Sequence, residues 1–184
     1  PSAVRSRAEK VAGGWRLSGN KMWVSNGVSG RWFVALVRTG QTGTHKDLSM
    51  LLVDASQEGV QRSKIHGKMG IRGSETAEMR LENVFVPEEH LLGQLGDGMK
   101  IALSALDGGR IGIASQAIGI ARACLDEMVS YAKQRQQFNQ PICNFQAIQW
   151  MIADSATELA AAEHLADHAA ELKEQGRPFT KEAS

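Results

Sequence analysis

The alternation of apolar and polar positions divides the chain into two halves of different character. In the first half, short runs rich in β-branched and aromatic residues are bounded by Gly, Asn, Ser or Pro, a pattern that predicts strands. The runs are WRLSGNKMWVSNG from Trp15, RWFVALVRTG from Arg31, LSMLLVDAS from Leu48 and AEMRLENVFVP from Ala77. Several short strands of this kind predict an all-β barrel or sandwich.

The second half, after Pro87, is rich in alanine, leucine and glutamate at helical spacing. It predicts one helix from about Asp97 to Lys133 and a second from about Asn144 to Glu174, which the glycine and proline of QGRP end. Two long helices joined by a short loop pack antiparallel. Neither can bury its apolar stripe alone, so we expect partner helices from sequence outside this chain.

Together these patterns predict a multidomain α and β protein, in which an all-β barrel or sandwich is followed by an incomplete antiparallel helical bundle. The change of composition places a β domain at residues 1–90 and a helical domain at residues 91–184. The chain begins with Pro1 rather than methionine, and its last residues, FTKEAS, resemble the first turn of a further helix capped by Thr180. We therefore expect this sequence to be part of a longer protein.

The first predicted helix carries an unusual number of glycines, in the run LDGGRIGIASQAIGIA from Leu106. Each of Gly108, Gly109, Gly112 and Gly119 costs about 1 kcal/mol relative to alanine in a helix interior. Glycine allows either close packing of a second helix or close approach of a ligand. The residues alone leave both explanations open.

Composition narrows the classes of function. The formal net charge is +1 with no basic block, so nothing predicts nucleic-acid binding. No apolar run approaches the roughly 18 residues of a membrane span. Cys124 and Cys143 do not form a CxxC pair, which favours reduced, structural thiols and a cytosolic or organelle-matrix protein. His164 and His168 lack the glutamate of a zinc-protease motif, so we expect them to be exposed and predict no metal site.

Three ordered stretches resemble the acyl-CoA dehydrogenase family, and the resemblance covers nearly the whole chain. They are KMWVSNG from Lys21, KMGIRGSETAEMRLENVFVPEEHLLG from Lys68, and LDGGRIGIASQAIGIA from Leu106 followed by QRQQFNQPICNFQAIQWMIAD from Gln134. The resemblance implies a middle β domain and the opening helices of a C-terminal bundle. It also implies FAD-dependent α,β-dehydrogenation of an acyl-CoA, nearest in wording to the short-chain type.

The same resemblance implies the setting in which the protein works. The expected electron acceptor is electron-transferring flavoprotein, and the expected assembly is a homotetramer built as a dimer of dimers. The compartment is the bacterial cytoplasm or the mitochondrial matrix. Acyl-CoA oxidase and flavin monooxygenase are alternatives of the same fold, and a cofactor-free helical interaction protein is a third.

The resemblance assigns five residues to the cofactor. Trp23 packs against the flavin ring and Ser25 hydrogen-bonds near its N5, although the two would otherwise be an ordinary strand residue and a turn serine. Arg135 reaches the pyrophosphate of a neighbouring subunit's dinucleotide, and its alternative role is that of a cation at a helix C-terminus. Phe138 and Gln146 line the same pocket. The family writes FGxP where this chain has FNQP, and we expect Asn139 to preserve the turn at positive φ.

Four residues of the glycine-rich helix match the stretch that contacts the acyl-CoA: Asp107, Gly108, Gly109 and Arg110. Asp107 and Arg110 are also spaced for a structural salt bridge. In one branch of the family the catalytic glutamate precedes this arginine, but here that position is Gly109. The other branch supplies the base from a later loop, so we expect no catalytic residue in this chain and no activity from it alone. Gly112 and Gly119 are assigned to helix packing, and Trp15 and Trp32 to packing within the β domain.

Overall fold

The computed structural model describes residues 3–184 and contains a β-rich first half. Its strands are β1 (Arg7–Val11), β2 (Gly14–Ser25), β3 (Trp32–Arg38), β4 (Leu48–Asp54), β5 (Val60–Lys64), β6 (Thr76–Pro87) and β7 (Leu91–Leu92). They form one seven-stranded sheet in the order β5-β6-β2-β1-β3-β4-β7. The β1–β3 pair is parallel and the other pairs in the sheet are antiparallel.

The sheet curves around its main apolar core, and Ala55, Ala77 and Met79 form a second, smaller buried cluster. Strands β4 and β6 are separated by three strands in the hydrogen-bonded order, yet they contact each other and contribute to the same cluster of buried side chains. Its buried members are Ala8, Trp15, Leu17, Ala35, Val37, Leu51, Val53, Leu81, Val84 and Val86. Alternating positions of β2 and β6 face this core, as expected for strands with one solvated face.

The second half contains two long helices, α1 (Gly98–Gln134) and α2 (Gln146–Glu174). Both predicted helices are confirmed, with ends within one or two residues of the expected positions. Between them lies a small hairpin of β8 (Gln136–Gln137) and β9 (Gln140–Pro141). The predicted fold class, a β domain followed by helices, is therefore confirmed.

Contacts between the two helices run in opposite chain directions. The Arg122 guanidinium of α1 binds the Glu163 carboxylate of α2 at 2.5 Å. Gly108, which precedes Arg122 on α1, faces Lys173, which follows Glu163 on α2. An earlier residue of α1 thus meets a later residue of α2, so the helices form the antiparallel pair that the sequence predicts.

The C-terminus of α2 has the geometry that QGRP predicts. Gly176 adopts φ +65°, its amide donates to the Lys173 carbonyl at 3.1 Å, and the Arg177 amide donates to the Leu172 carbonyl at 2.9 Å. These two hydrogen bonds define a Schellman motif, which accepts glycine in the left-handed conformation at little cost.

The helical pair leaves much of its apolar surface exposed. On α1, Leu106, Ile113 and Ile120 are each more than half exposed, and their spacing of seven residues places them on one face of the helix. On α2, Trp150, Met151 and Leu165 are also more than half exposed. The contacts within residues 104–184 therefore do not cover the apolar stripes, as expected from the sequence.

The chain divides into two compact units, one ending at Leu103 and one beginning at Ser104. Pairing of β7 with β4, in which Leu91 lies opposite Leu51, carries the first unit beyond residue 90. The domain boundary near residue 90 stays a prediction.

Within residues 3–184, no helix combines the length and the hydropathy that crossing a membrane requires.

The tryptophans and cysteines assigned to packing differ from one another. Trp15 is 5% exposed and belongs to the core, as expected. Trp32 is 48% exposed, because its ring packs only edge-on against His90 and beneath Arg31. Cys124 is an exposed free thiol, and Cys143 is a half-buried one.

Candidate functional site

Trp23 lies on a bulge of β2. Lys21 pairs with Met79 and Val24 pairs with Ala77, so three steps along β2 match two along β6. Trp23 takes up the extra residue with φ +61°, and its side chain is 64% exposed. A left-handed conformation costs a bulky residue about 1–3 kcal/mol, and bulges of this kind redirect side chains near functional sites. The bulge holds an indole face toward solvent, where a flat ligand can stack.

Ser25 ends the same strand, opposite Thr76 of β6. It is exposed, and its hydroxyl has no hydrogen-bond partner among residues 3–184. The next residue, Asn26, has φ +54° and begins a tight turn. The bulge and the turn therefore flank a segment that presents an indole and an unpaired hydroxyl.

Phe138 and Asn139 form the turn between β8 and β9. Their φ angles are +50° and +60°, which is the pattern of a type I′ turn. The expectation that Asn139 preserves the turn at positive φ agrees with this geometry. Phe138 is 85% exposed, and its ring meets Phe145 edge-on at 6.1 Å. A second exposed aromatic ring is thus held by a left-handed backbone.

Arg135 and Gln146 flank this hairpin. Arg135 follows the last residue of α1, and its carbonyl accepts a hydrogen bond from the Ile142 amide at 2.9 Å. Gln146 is the first residue of α2. Both side chains are exposed and have no side-chain partner in the described chain. Together with Phe138, they form a hydrogen-bonding and aromatic surface at one end of the helical pair.

Asp107 and Arg110 lie in the first half of α1. The Asp107 side chain is buried, and its Oδ1 accepts a hydrogen bond from Arg110 at 3.0 Å. Its Oδ2 accepts a hydrogen bond from the Thr180 hydroxyl at 2.7 Å. The spacing of a structural salt bridge is thus realised. Thr180, expected to cap a further helix, binds Asp107 instead.

The four helix glycines have different surroundings. A Cβ at Gly108 would lie 3.0 Å from the ammonium of Lys173, so this position faces α2. A Cβ at Gly109, Gly112 or Gly119 would meet nothing within 4 Å in the described chain. Open space at Gly109 agrees with room for a ligand, whereas Gly108 is partly covered. No residue of the described chain packs against Gly112 or Gly119, which had been assigned to helix packing.

The predicted site residues fall into three groups. Trp23 and Ser25 lie together in the unit that ends at Leu103. Within the other unit, Arg110 lies in the first half of α1 and Arg135 directly follows its last residue. At a rise of about 1.5 Å per residue, they are about 35 Å apart along the helix axis.

The buried carboxylates of the described chain are all engaged. Asp47 accepts hydrogen bonds from Thr42 and Gly43 and pairs with Arg38, and Asp54 binds Arg31 and Ser56. The Thr42 hydroxyl beside Asp47 holds the pKa of that carboxyl below its usual range, and hydrogen bonds from Arg31 and Ser56 lower the pKa of Asp54 to about 2. Asp107 is the third. Because their hydrogen bonds stabilise the ionised forms, Asp47 and Asp54 are poor proton acceptors near neutral pH.

The described residues also contain no cluster of three or more His, Cys, Asp or Glu side chains that could hold a metal ion. His164 and His168 are exposed, as expected.

Two family models match the chain in the order of its two halves. They are described as "Acyl-CoA dehydrogenase, middle domain", over residues 1–84, and "Acyl-CoA dehydrogenase, C-terminal domain", over residues 96–184. The chain belongs to the acyl-CoA dehydrogenase family.

Individual acyl-CoA dehydrogenases match over nearly the entire chain. The mitochondrial short/branched chain specific acyl-CoA dehydrogenase of Rattus norvegicus is 42% identical over 182 residues, covering 99% of this chain and 42% of that protein. The structure of butyryl-CoA dehydrogenase from Megasphaera elsdenii superposes with a TM-score of 0.94 at 38% identity, covering 99% of this chain and 48% of that one. Glutaryl-CoA dehydrogenase from Mycobacterium smegmatis in complex with FADH2 gives a TM-score of 0.89 at 30% identity, with 100% and 46% covered. The chain thus spans less than half the length of these relatives.

The structure also places the Glu75 side chain against the turn that follows Ser25. The sequence did not indicate this contact. The Glu75 Oε1 accepts hydrogen bonds from the amides of Val28 and Ser29, both at 2.8 Å. Glu75 is distant in sequence from Val28 and Ser29, and no sequence motif contains all three residues. The left-handed conformation of Phe138 was also missed, although the neighbouring Asn139 in a short hairpin was a signal for it.

Proposed function

We propose that the protein containing this chain is an FAD-dependent acyl-CoA dehydrogenase that converts a short-chain acyl-CoA to the trans-2-enoyl-CoA. The observation that carries this proposal is that the strained end of β2 presents two exposed groups close together in sequence, the Trp23 indole and the Ser25 hydroxyl, which has no hydrogen-bond partner in the described chain. The names of the rat short/branched chain enzyme and of the Megasphaera elsdenii butyryl-CoA dehydrogenase support the substrate class.

The residues present fit a flavin. An isoalloxazine ring needs a flat apolar partner and a few hydrogen-bond donors, and Trp23 and Ser25 supply one of each. The related glutaryl-CoA dehydrogenase was solved in complex with FADH2. When bound, FAD supplies the acceptor for the hydride that leaves the substrate β-carbon. The indole of Trp23 stacks on the ring and excludes water from one face, and the Ser25 hydroxyl donates a hydrogen bond to it.

Arg135, Phe138 and Gln146 fit the dinucleotide end of the cofactor. The guanidinium of Arg135 can bind two phosphate oxygens at once, because its donors form a rigid planar fork. The Phe138 ring offers a face for stacking, and the Gln146 amide offers both a donor and an acceptor. The Arg135 and Gln146 side chains have no side-chain partner in the described chain, which favours binding of an external group.

The separation along α1 supports an oligomer. Arg110 and Arg135 are about 35 Å apart along the helix axis, too far for both to serve one reacting centre. In the proposed arrangement, Arg110 serves the substrate of its own subunit, and Arg135 completes the flavin site of a neighbour. The assembly is then a homotetramer, a dimer of dimers, with each dimer interface completing two sites.

On the substrate side, Asp107 orients the Arg110 guanidinium toward the thioester ligand, and the bare backbone of Gly109 leaves room for it. The family resemblance implies that the base that removes the α-proton comes from outside residues 1–184, and the engagement of the buried Asp47, Asp54 and Asp107 in hydrogen bonds agrees with this. Electron-transferring flavoprotein is the proposed acceptor, and the bacterial cytoplasm or mitochondrial matrix is the proposed compartment.

The decisive experiment is an absorption spectrum of the full-length protein at about 450 nm, before and after anaerobic addition of butyryl-CoA. Bleaching of a flavin band by butyryl-CoA is expected. A band that no acyl-CoA bleaches would contradict the proposed activity and favour a monooxygenase. Absence of any flavin band would contradict the proposed cofactor as well and favour a cofactor-free interaction protein. Stoichiometric peroxide during aerobic turnover would point to an oxidase.

A further inference from the structure

One carboxylate holds the turn that follows Ser25. Oε1 of Glu75 accepts hydrogen bonds from the Val28 amide at 2.8 Å, the Ser29 amide at 2.8 Å and the Ser29 hydroxyl at 3.2 Å. The main-chain carbonyl of Glu75 also accepts a hydrogen bond from the Asn26 amide at 3.0 Å. Both the side chain and the backbone of Glu75 therefore fix this turn.

The turn itself leaves little freedom. The Gly30 amide donates to the Asn26 carbonyl at 2.7 Å, which closes the turn. A Cβ at Gly27 would lie 2.8 Å from the Cβ of Ala77 and 3.0 Å from the Val24 carbonyl oxygen, so the backbone packs directly on β6. Any movement of the turn would therefore shift the end of β2, where Ser25 lies.

The loop that carries Glu75 is also anchored. The ammonium of Lys68 donates to the Ile71 carbonyl at 3.0 Å and to the Thr76 hydroxyl at 2.9 Å, and Arg72 donates back to the Lys68 carbonyl at 3.0 Å. Thr76 pairs with Ser25 in the sheet. These contacts connect the Glu75 loop to the strand position opposite the proposed flavin contact.

The charge of Glu75 strengthens this arrangement. Hydrogen bonds from the Ser29 and Val28 amides hold the pKa of the Glu75 carboxyl below its usual range. The side chain is therefore ionised at neutral pH, and its hydrogen bonds are charge-assisted, which makes them stronger than those of a neutral acceptor.

We propose that Glu75 is a positioning residue for the flavin: by holding the turn after Ser25, it fixes the Ser25 hydroxyl and the Trp23 indole in the orientation that binds the ring. This inference rests on the proposed function. Neither side chain has a hydrogen-bond partner in the described chain that would orient it, so its direction depends on the backbone. That backbone is set by the bulge on one side and by the Glu75-bound turn on the other.

The test compares three variants of the full-length protein with the wild type. Glu75→Ala removes the acceptor, whereas Glu75→Gln keeps an oxygen of nearly the same reach. Glu78→Ala is the matched control, because Glu78 is an exposed glutamate of β6 without a hydrogen-bond partner in the described chain. The dissociation constant of FAD is measured by titrating each apoprotein, and the flavin absorption spectrum is recorded for each complex.

Glu75→Ala is expected to weaken FAD binding about tenfold and to shift the flavin spectrum. Glu75→Gln is expected to remain within about threefold of the wild type, as is Glu78→Ala. Unchanged affinity and spectrum in Glu75→Ala would overturn the inference, and so would failure of Glu75→Gln to restore them in a folded protein. If Glu75→Ala does not fold, as judged by circular dichroism, Glu75→Asp replaces it, because its carboxylate is one methylene group shorter and withdraws from the Val28 and Ser29 amides. A spectral shift is then expected, and an unchanged spectrum would overturn the inference. A wild-type protein that binds no FAD would instead refute the proposed function.

Discussion

The two units of this chain bury their apolar side chains to very different extents. In the β unit, Leu17, Leu51 and Val84 are fully buried in the main core of the sheet. In the helical unit, Ala132, Ala169 and Leu172 are the buried apolar side chains, while Ile113 and Ile120 are 65% and 60% exposed. The β unit thus has a buried core of its own, whereas the helical pair has apolar faces that its own residues do not cover.

Substitution of apolar residues in the two units tests this contrast most strongly. Leu51→Ala is expected to lower the free energy of unfolding by about 2–5 kcal/mol, because it leaves a cavity in a closed core. In the full-length protein, we expect Ile113→Ala to cost about 2–4 kcal/mol as well, because further helices would cover that stripe. Both values come from urea unfolding monitored by circular dichroism.

The matched control is Val34→Ala, since Val34 is a 53% exposed residue of β3 in the β unit. It should change the free energy of unfolding by less than about 1 kcal/mol. A loss below about 0.5 kcal/mol for Ile113→Ala would show that the stripe faces solvent in the full-length protein. The helical unit would then keep an exposed apolar face in the full-length protein as well.

The helical unit also depends on polar contacts, and Thr180→Val tests the principal one. Valine keeps the shape of threonine but removes the hydroxyl that binds Asp107 Oδ2. Because the Asp107 side chain is buried, the lost hydrogen bond is expected to cost about 1–3 kcal/mol of unfolding free energy.

Thr157→Val is the control for this substitution, because the Thr157 hydroxyl binds only the Ala153 carbonyl on the exposed side of α2. Its effect should stay within about 0.5 kcal/mol. Equal effects of the two substitutions, measured by thermal unfolding, would show that the link between Thr180 and α1 contributes nothing to the stability of the helical unit.

The same contrast explains how much of the fold could be predicted from the sequence. The helices were predicted to within one or two residues because apolar residues repeat along their whole length. Four of the seven strands of the sheet, β2, β3, β4 and β6, were also recognised, whereas the short strands β1, β5 and β7 were not. The curvature of the sheet was expected only in general terms, since it depends on contacts between β4 and β6 that no local pattern records.

The features missed in the candidate site arise from long-range contacts. The bulge at Trp23 depends on the register between β2 and β6, and the turn after Ser25 depends on Glu75, 46 residues from Ser29. Gly108 faces Lys173 because the two helices are antiparallel. In each case the contact became evident only when segments distant in sequence were placed side by side.

The β unit contributes a pH dependence of its own, which is the smallest of the expected effects. Hydrogen bonds from Arg31 and Ser56 lower the pKa of Asp54 from 3.8 to about 2 in the folded protein. In the unfolded chain, Asp54 takes up its proton at the higher pH, so the stabilisation is present above about pH 4 and is lost as the pH falls toward about 2. Asp54→Asn should remove part of this dependence, measured as the urea midpoint between about pH 5 and pH 2. Parallel curves for wild type and variant would show that Asp54 keeps the same pKa in both states. The hydrogen bonds of Asp54 would then add nothing to the free energy of unfolding that the buried core of the β unit provides.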